Sequence, residues 1–245
     1  MSGEDSAEPV ELDRHWAVVV CAGPSLDRLA APAWKAIGQA GVVVGVNGAL
    51  VADACTSHRV RFDYAAALDV ATTLSSDIPG FLEAWARTPA WRVSAHGTGA
   101  VCESAVRRVE SWSDEPDAGF AAGCSITAMV VGNWLSNAWP TDAESVRTLQ
   151  AIEATSGKFA PPRRFRQLAY IGLDMIAGQG GHARGAGHHH SGFAASPDRY
   201  AQIADGWAHF AAAARERNIR AVNLTPNSGL AAMARIEPPG DWVRA

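Results

Sequence analysis

Trp16-Ala17-Val18-Val19-Val20-Cys21, followed at once by Ala22-Gly23-Pro24-Ser25-Leu26-Asp27, sets the expectation for the whole chain. A short apolar, β-branched run that stops at a Gly-Pro-Ser turn and passes into helix-compatible sequence reads as buried strand, tight loop and helix N-terminus. Such a junction attracts anions. Free backbone N–H groups and the positive end of the helix dipole converge there, each favourable charge interaction being worth about 0.3–1 kcal/mol. A nucleotide phosphate is the natural guest of Gly23, Pro24 and Ser25. The same residues also suit a plain turn at Gly23 with a helix cap at Ser25, and one glycine makes neither a dinucleotide fingerprint nor a P-loop.

Working outward, Leu26, Leu29, Ala30, Trp34 and Ile37 recur at helical spacing and predict one helix that ends at Gly38. Val42 to Val46 is a second buried strand, closed by Asn47-Gly48. Asn47 stands where a doubly wound sheet reads a ribose or base, although an Asn-Gly turn with positive φ explains it too. A third strand from about Tyr64 to Leu68 delivers Asp69 at its carboxyl end. There a carboxylate holds a magnesium ion on phosphate oxygens or caps the next helix. Trp91 to Ser94 reads as a fourth strand. Gly123-Cys124-Ser125 opens an apolar helix with Ser125 as N-cap, a second cluster of N–H donors.

The stretch from about residue 138 to 167, broken by Pro161-Pro162, reads as a surface insertion. Leu168 to Gly172 is the next strand and places Asp174 at its end. Gly178 to Ser191, with His182, His188, His189 and His190, is too glycine-rich to hold a fixed shape without a ligand. A mobile active-site lid is expected there, its histidines serving acid–base chemistry or metal binding. Ser196-Pro197-Asp198 starts a helix that ends at Asn218. Arg220 to Asn223 is the last strand, and Thr225 to Leu230, with Asn227 and Ser228, turns into a short helix.

The 245 residues, 48% of them hydrophobic, suffice for one sizeable core: a single domain over 15–237, between an acidic tail at 1–14 and a tail at 238–245. No apolar run approaches the roughly 20 residues that span a bilayer, and the polar start has no signal-peptide pattern. A cytoplasmic protein without membrane contact is expected. The net charge of −4 argues against a general nucleic-acid binder, and the Arg163, Arg164 and Arg166 cluster reads as a solvated loop. The 4 cysteines are widely spaced and suggest neither zinc nor disulfides.

In this order the motifs at Gly23 to Asp27, Asp63 to Asp69, Gly123 to Ala128, Ile171 to Met175 and Gly181-His182-Ala183 resemble the MptE-like family of 6-hydroxymethylpterin diphosphokinases, a grouping that also contains the motility accessory factors. The likeness runs from Trp16 to Leu230. It implies a Rossmann-like three-layer α/β sandwich with a mainly parallel sheet, and ATP-dependent diphosphate transfer to a hydroxymethyl, pterin-like acceptor. A second layout, that of the bacterial sialyltransferases using CMP-sialic acid, is similar at Gly23 to Leu26, Asn47, His190-Ser191 and Pro226 to Ser228. It implies CMP contacts at the loop, at Asn47 and near Ser125, with His190 as base.

Diphosphate transfer develops charge on phosphoryl oxygens and calls for a metal-holding carboxylate, which suits Asp69 and Asp174 with Mg2+. Sugar transfer needs a base and can run without metal, which suits the histidines. The combined expectation is a nucleotide donor, ATP or a CMP-sugar, seated by Gly23, Pro24, Ser25, Asn47, Gly123, Ser125, Asn227 and Ser228. Asp69 and Asp174 hold the metal, and His182 or His190 takes the proton of a small hydroxyl acceptor. A non-catalytic nucleotide-binding protein that has kept the fold is the third reading.

Overall fold

The computed structural model describes residues 10–66, 78–88, 92–93, 124–136, 165–175, 183–186, 197–231 and 233–244. Val18, Val19 and Val20 are wholly buried, as a strand covered on both faces requires, and β1 (Trp16–Val20) sits at the centre of the sheet. It pairs in parallel with β2 (Val42–Val46), Val18 opposite Val43, and on its other side with β5 (Gln167–Ile171), Val18 opposite Ala169. Beyond β2 lie β3 (Tyr64–Ala66) and β4 (Arg92–Val93); beyond β5 lie β6 (Arg220–Asn223) and β7 (Ala234–Arg235). Every pairing is parallel, in the order β4-β3-β2-β1-β5-β6-β7. The chain steps outward from β1 one way, then returns and steps outward the other way. The order therefore reverses between β1 and β5.

Alternation along β1 builds a core on each face. Trp16, Val18 and Val20 pack with Trp34 and Ile37 of α1 (Ala31–Ile37), Cys55 of α2 (Asp53–Ser57) and Phe81 of α3 (Phe81–Arg87). Ala17, Val19 and Cys21 pack with Met129 and Leu135 of α4 (Cys124–Leu135) and with Trp207 and Phe210 of α5 (Pro197–Glu216). The result is an α/β fold with an all-parallel sheet. Among the described residues no helix is long and apolar enough to cross a membrane.

Several boundaries differ from expectation, each for a local reason. The helix foreseen from Leu26 to Ile37 is two pieces, a 3-10 turn (Pro24–Arg28) and α1, with Leu29 extended between them. Pro32 lacks an amide hydrogen, and its ring would strike the carbonyl of Arg28 if the helix ran through. Ser125 lies inside the first turn of α4 rather than ahead of it. Phe165, expected in the surface insertion, is buried, and its N–H donates to the carbonyl of Leu135 (3.0 Å). Thr225 to Leu230 forms no helix, because the amides that would start it are captured: Gly229 N–H donates to the Asp174 carbonyl (2.7 Å) and Leu230 N–H to Ser228 Oγ (3.2 Å).

Both chain ends reach further into the core than foreseen. Val10 and Leu12 are buried within the supposed acidic tail, and Trp242 is buried within the supposed closing tail. The latter returns along the 3-10 turn: Ala30 N–H donates to the Trp242 carbonyl (2.8 Å), Leu29 bridges Val243, and Arg244 N–H donates to the Arg28 carbonyl (2.8 Å).

In the core beside α5, Tyr170 is fully enclosed between Trp207 and Phe210, and among the described residues its hydroxyl has no hydrogen-bond partner. Burial accordingly pushes its pKa well above the ordinary phenol value. An unpaired buried hydroxyl costs about 1–3 kcal/mol. Tyr170→Phe removes that cost and keeps the ring packing, so urea denaturation should show a variant at least as stable as the parent; a loss above about 1 kcal/mol would reveal a partner for the hydroxyl.

Candidate active site at the strand-order reversal

The exits of β1 and β5 are zipped together. Cys21 N–H donates to the Ile171 carbonyl (2.7 Å) and Gly23 N–H to the Gly172 carbonyl (3.0 Å). This approach leaves no room for side chains. A Cβ on Gly172, which has φ +73°, would stand 2.4 Å from the Cys21 carbonyl oxygen, and one on Gly23 would stand 1.9 Å from Asp174 Oδ2. Gly23 itself has an ordinary extended backbone, φ −70° and ψ 155°. Its lack of a side chain is thus needed for space and not for the turn.

Ser25 and Asp174 fill that space. Ser25 Oγ donates to Asp174 Oδ2 (2.7 Å) and Ser25 N–H donates to Oδ1 (3.2 Å), a two-pronged hold on one carboxylate. Ser25 caps no helix through its side chain; the 3-10 turn is entered through Gly23 without a side-chain cap. The bend does gather a negative charge, and in this structure the charge is the chain's own. Burial raises the Asp174 pKa above its usual value, while the Ser25 hydrogen bonds and the nearby charge of Arg28 pull against the rise.

The backbone that carries Asp174 is gripped from β6. Leu173 N–H donates to Thr225 Oγ1 (2.9 Å), and Ser228 Oγ donates to the carbonyl of Leu173 (2.7 Å) or of Asp174 (3.0 Å). Asn223, completely buried, gives its Nδ2 hydrogens to Ser228 Oγ (2.9 Å) and towards the Leu173 carbonyl (3.4 Å), while its Oδ1 accepts from Thr225 N–H (3.0 Å). The Ser228 hydroxyl is therefore committed inside the protein. Asn227 is exposed at the tip of the same turn, with φ +57°.

On the other side of β1, Asn47 follows β2 in the left-handed region at φ +48° and is buried, and among the described residues its Oδ1 has no hydrogen-bond partner. Beside it Gly48 meets the Ala186 carbonyl, 2.2 Å from where a Cβ would sit. Ala183–Ala186 is the described part of the glycine- and histidine-rich stretch, and these four residues are tied to the core; the rest of the expected lid lies outside the described residues. Ala183 and Ala186 are buried in the core. Ala183 N–H donates to the Ala22 carbonyl (2.8 Å), Arg184 N–H to Asp27 Oδ2 (3.0 Å), and Asp53 N–H to the Arg184 carbonyl (2.7 Å). Composition suggested mobility because it carries no sign of Asp27 and Asp53, which hold this turn.

Gly23, Pro24, Ser25 and Asp174 thus form one cluster, with Ser228 bound to its backbone and Asn47 one strand away. Asp69, Gly123, His182 and His190 lie outside the described residues. Among the described residues no three His, Cys, Asp or Glu side chains gather as a metal cage. Sequence reasoning passed over Arg28, Asn223 and Thr225. The alternation Val222-Asn223-Leu224-Thr225, polar groups within an otherwise apolar run, was the available signal. Comparison of the chain with protein-family models, with curated proteins and with solved structures finds no match.

Two outcomes follow from this geometry. A carboxyl whose folded pKa is raised stabilises the fold most when protonated, below the unfolded value, and that contribution is lost as pH rises through the folded value. Asp174→Asn should therefore be more stable than the parent at pH 7, the gap closing as pH falls below the ordinary carboxyl value of 3.8; melting curves across pH 3–8 read it. Gly185 has φ +77°, and a Cβ there would stand 2.4 Å from Asp53 Oδ1. Gly185→Ala should cost about 1–3 kcal/mol in denaturant melts and expose the segment to protease.

Proposed function

We propose that this chain is a nucleotide-dependent transferase on a Rossmann-like three-layer fold, and that it moves a diphosphate from ATP to the hydroxyl of a hydroxymethyl, pterin-like acceptor. The observation that carries the reading is Asp174: a carboxylate carried by the β5 exit, held by Ser25 of the β1 exit, with its backbone braced from the β6 exit, and standing where burial disfavours its charge. Open α/β sheets bind ligands where strand order reverses, and perturbed carboxylates cluster at working sites. The motif resemblance from Trp16 to Leu230 supports the substrate class.

Mg2+ suits these residues. It usually takes one or two protein carboxylates, with phosphate oxygens and water completing the shell, and Asp174 offers one hard oxygen donor, with Asp69 as the second carboxylate. When bound, the ion neutralises charge on the phosphoryl oxygens. The chain's own residues do the rest. Gly23 and Pro24 leave the bend free of bulk, and Ser25 orients the carboxylate. The unpaired Asn47 Oδ1 accepts an N–H or O–H from the nucleoside, while Gly123, Ser125 and Asn227 complete the seat and Ser228, its hydroxyl committed to the Leu173–Asp174 backbone, braces it from within. His182 or His190 takes the acceptor's proton.

The Ser25–Asp174 pair also bears on the choice of donor. A resident carboxylate at the bend repels an uncompensated phosphate, which favours a metal-complexed triphosphate over a metal-free CMP-sugar. The test is a thermal-shift panel of ATP, CTP, CMP and AMP with and without magnesium. A ligand at 100 times its Kd stabilises by about 2.7 kcal/mol, so ATP with magnesium should raise the melting temperature clearly, and Asp174→Ala should abolish that rise. A response to CMP that ignores magnesium would replace this reading with sugar transfer. Tight binding of ATP with no transfer to any hydroxymethyl acceptor would leave a binding protein.

A further inference from the structure

Leu173 and Asp174 are a two-residue step between two left-handed residues, Gly172 at φ +73° and Met175 at φ +47°. They lie past the last ladder pairs of β5, Ile171 opposite Val20 on one side and Tyr170 opposite Asn223 on the other, so regular sheet hydrogen bonding does not hold them. Side chains of the β6 exit take its place. Leu173 N–H finds Thr225 Oγ1, and the Leu173 carbonyl finds Ser228 Oγ, whose oxygen in turn accepts from Asn223 Nδ2. Asn223 suits this position because it both donates and accepts, its Oδ1 fixing the amide of Thr225. Thr225 and Asn223 are 1% and 0% exposed, so neither reaches solvent.

We propose that Thr225 and Asn223 are positioning residues: through Ser228 and the Leu173 peptide they set where the Asp174 carboxylate stands against Ser25. The inference rests on Asp174 being the working carboxylate of the proposed transferase. A positioning role also explains why polar groups are spent at the heart of the sheet, where apolar side chains would pack as well. Without the brace, the step between Gly172 and Met175 keeps the Gly229 N–H on the Asp174 carbonyl but loses its hold on the Leu173 peptide, which can then turn and carry the carboxylate off the two donors of Ser25.

The test compares Thr225→Val, which keeps the shape and loses the hydroxyl, with Thr225→Ser, which keeps the hydroxyl. The readouts are the carboxyl 13C resonance of Asp174, assigned by its absence in Asp174→Asn, and calorimetric titration with Mg·ATP. Thr225→Val should move that resonance and weaken Mg·ATP by about tenfold or more, and Thr225→Ser should restore both. Ser228→Ala, which cuts the same brace one link later, should move the resonance the same way and serves if Thr225→Val does not fold. An unmoved Asp174 resonance in a folded Thr225→Val or Ser228→Ala protein overturns the proposal. A moved resonance in a protein whose parent ignores Mg·ATP upholds the positioning role while removing the transferase reading.

Discussion

The approach of the β1 exit to the β5 exit is the constraint from which the other features follow. Two backbones leave neighbouring parallel strands and stay within hydrogen-bonding distance for a further turn, with glycine required on each side. Strand order reverses at this seam, the place where open α/β sheets collect ligands, and the β1 and β5 exits form its two walls. Asp174 enters from one wall and Ser25 meets it from the other. The two cores, one on each face of β1, supply the apolar burial that offsets holding a carboxylate in that seam.

The parallel sheet was legible because its central strands are buried on both faces and must be continuously apolar, as Trp16 to Cys21 and Val42 to Val46 are. Features that depend on distant partners were not. The break at Leu29 follows from Pro32 and could have been foreseen. The irregular path from Thr225 to Leu230 could not, since it depends on the Asp174 carbonyl. Ala183–Ala186 is the clearest case: its composition allows any shape, and the one it takes is selected by Asp27, 157 positions away from Arg184.

The site divides the same way. Gly23, Ser25, Asn47 and Asp174 stood out as small or polar residues at strand ends, where parallel sheets place chemistry. The bonds between Ser25 and Asp174 span 149 positions and had no local signature. Asn223 and Thr225 escaped notice because alternating polar residues in a short strand look like an exposed face. Here they turn inward and serve the neighbouring strand.

The return of Trp242–Arg244 along Ala30, Leu29 and Arg28 has a consequence for how the molecule comes into being. Synthesis delivers the Gly-Pro-Ser bend before β5 and before the Trp242 strap. A growing chain on the ribosome carries β1 and β2 with one flank bare and the carbonyl of Arg28 unsatisfied. Asp174 consequently meets Ser25 only once β5 has been made, and a nascent chain that has not reached β5 has the strands of one half-sheet without that pair.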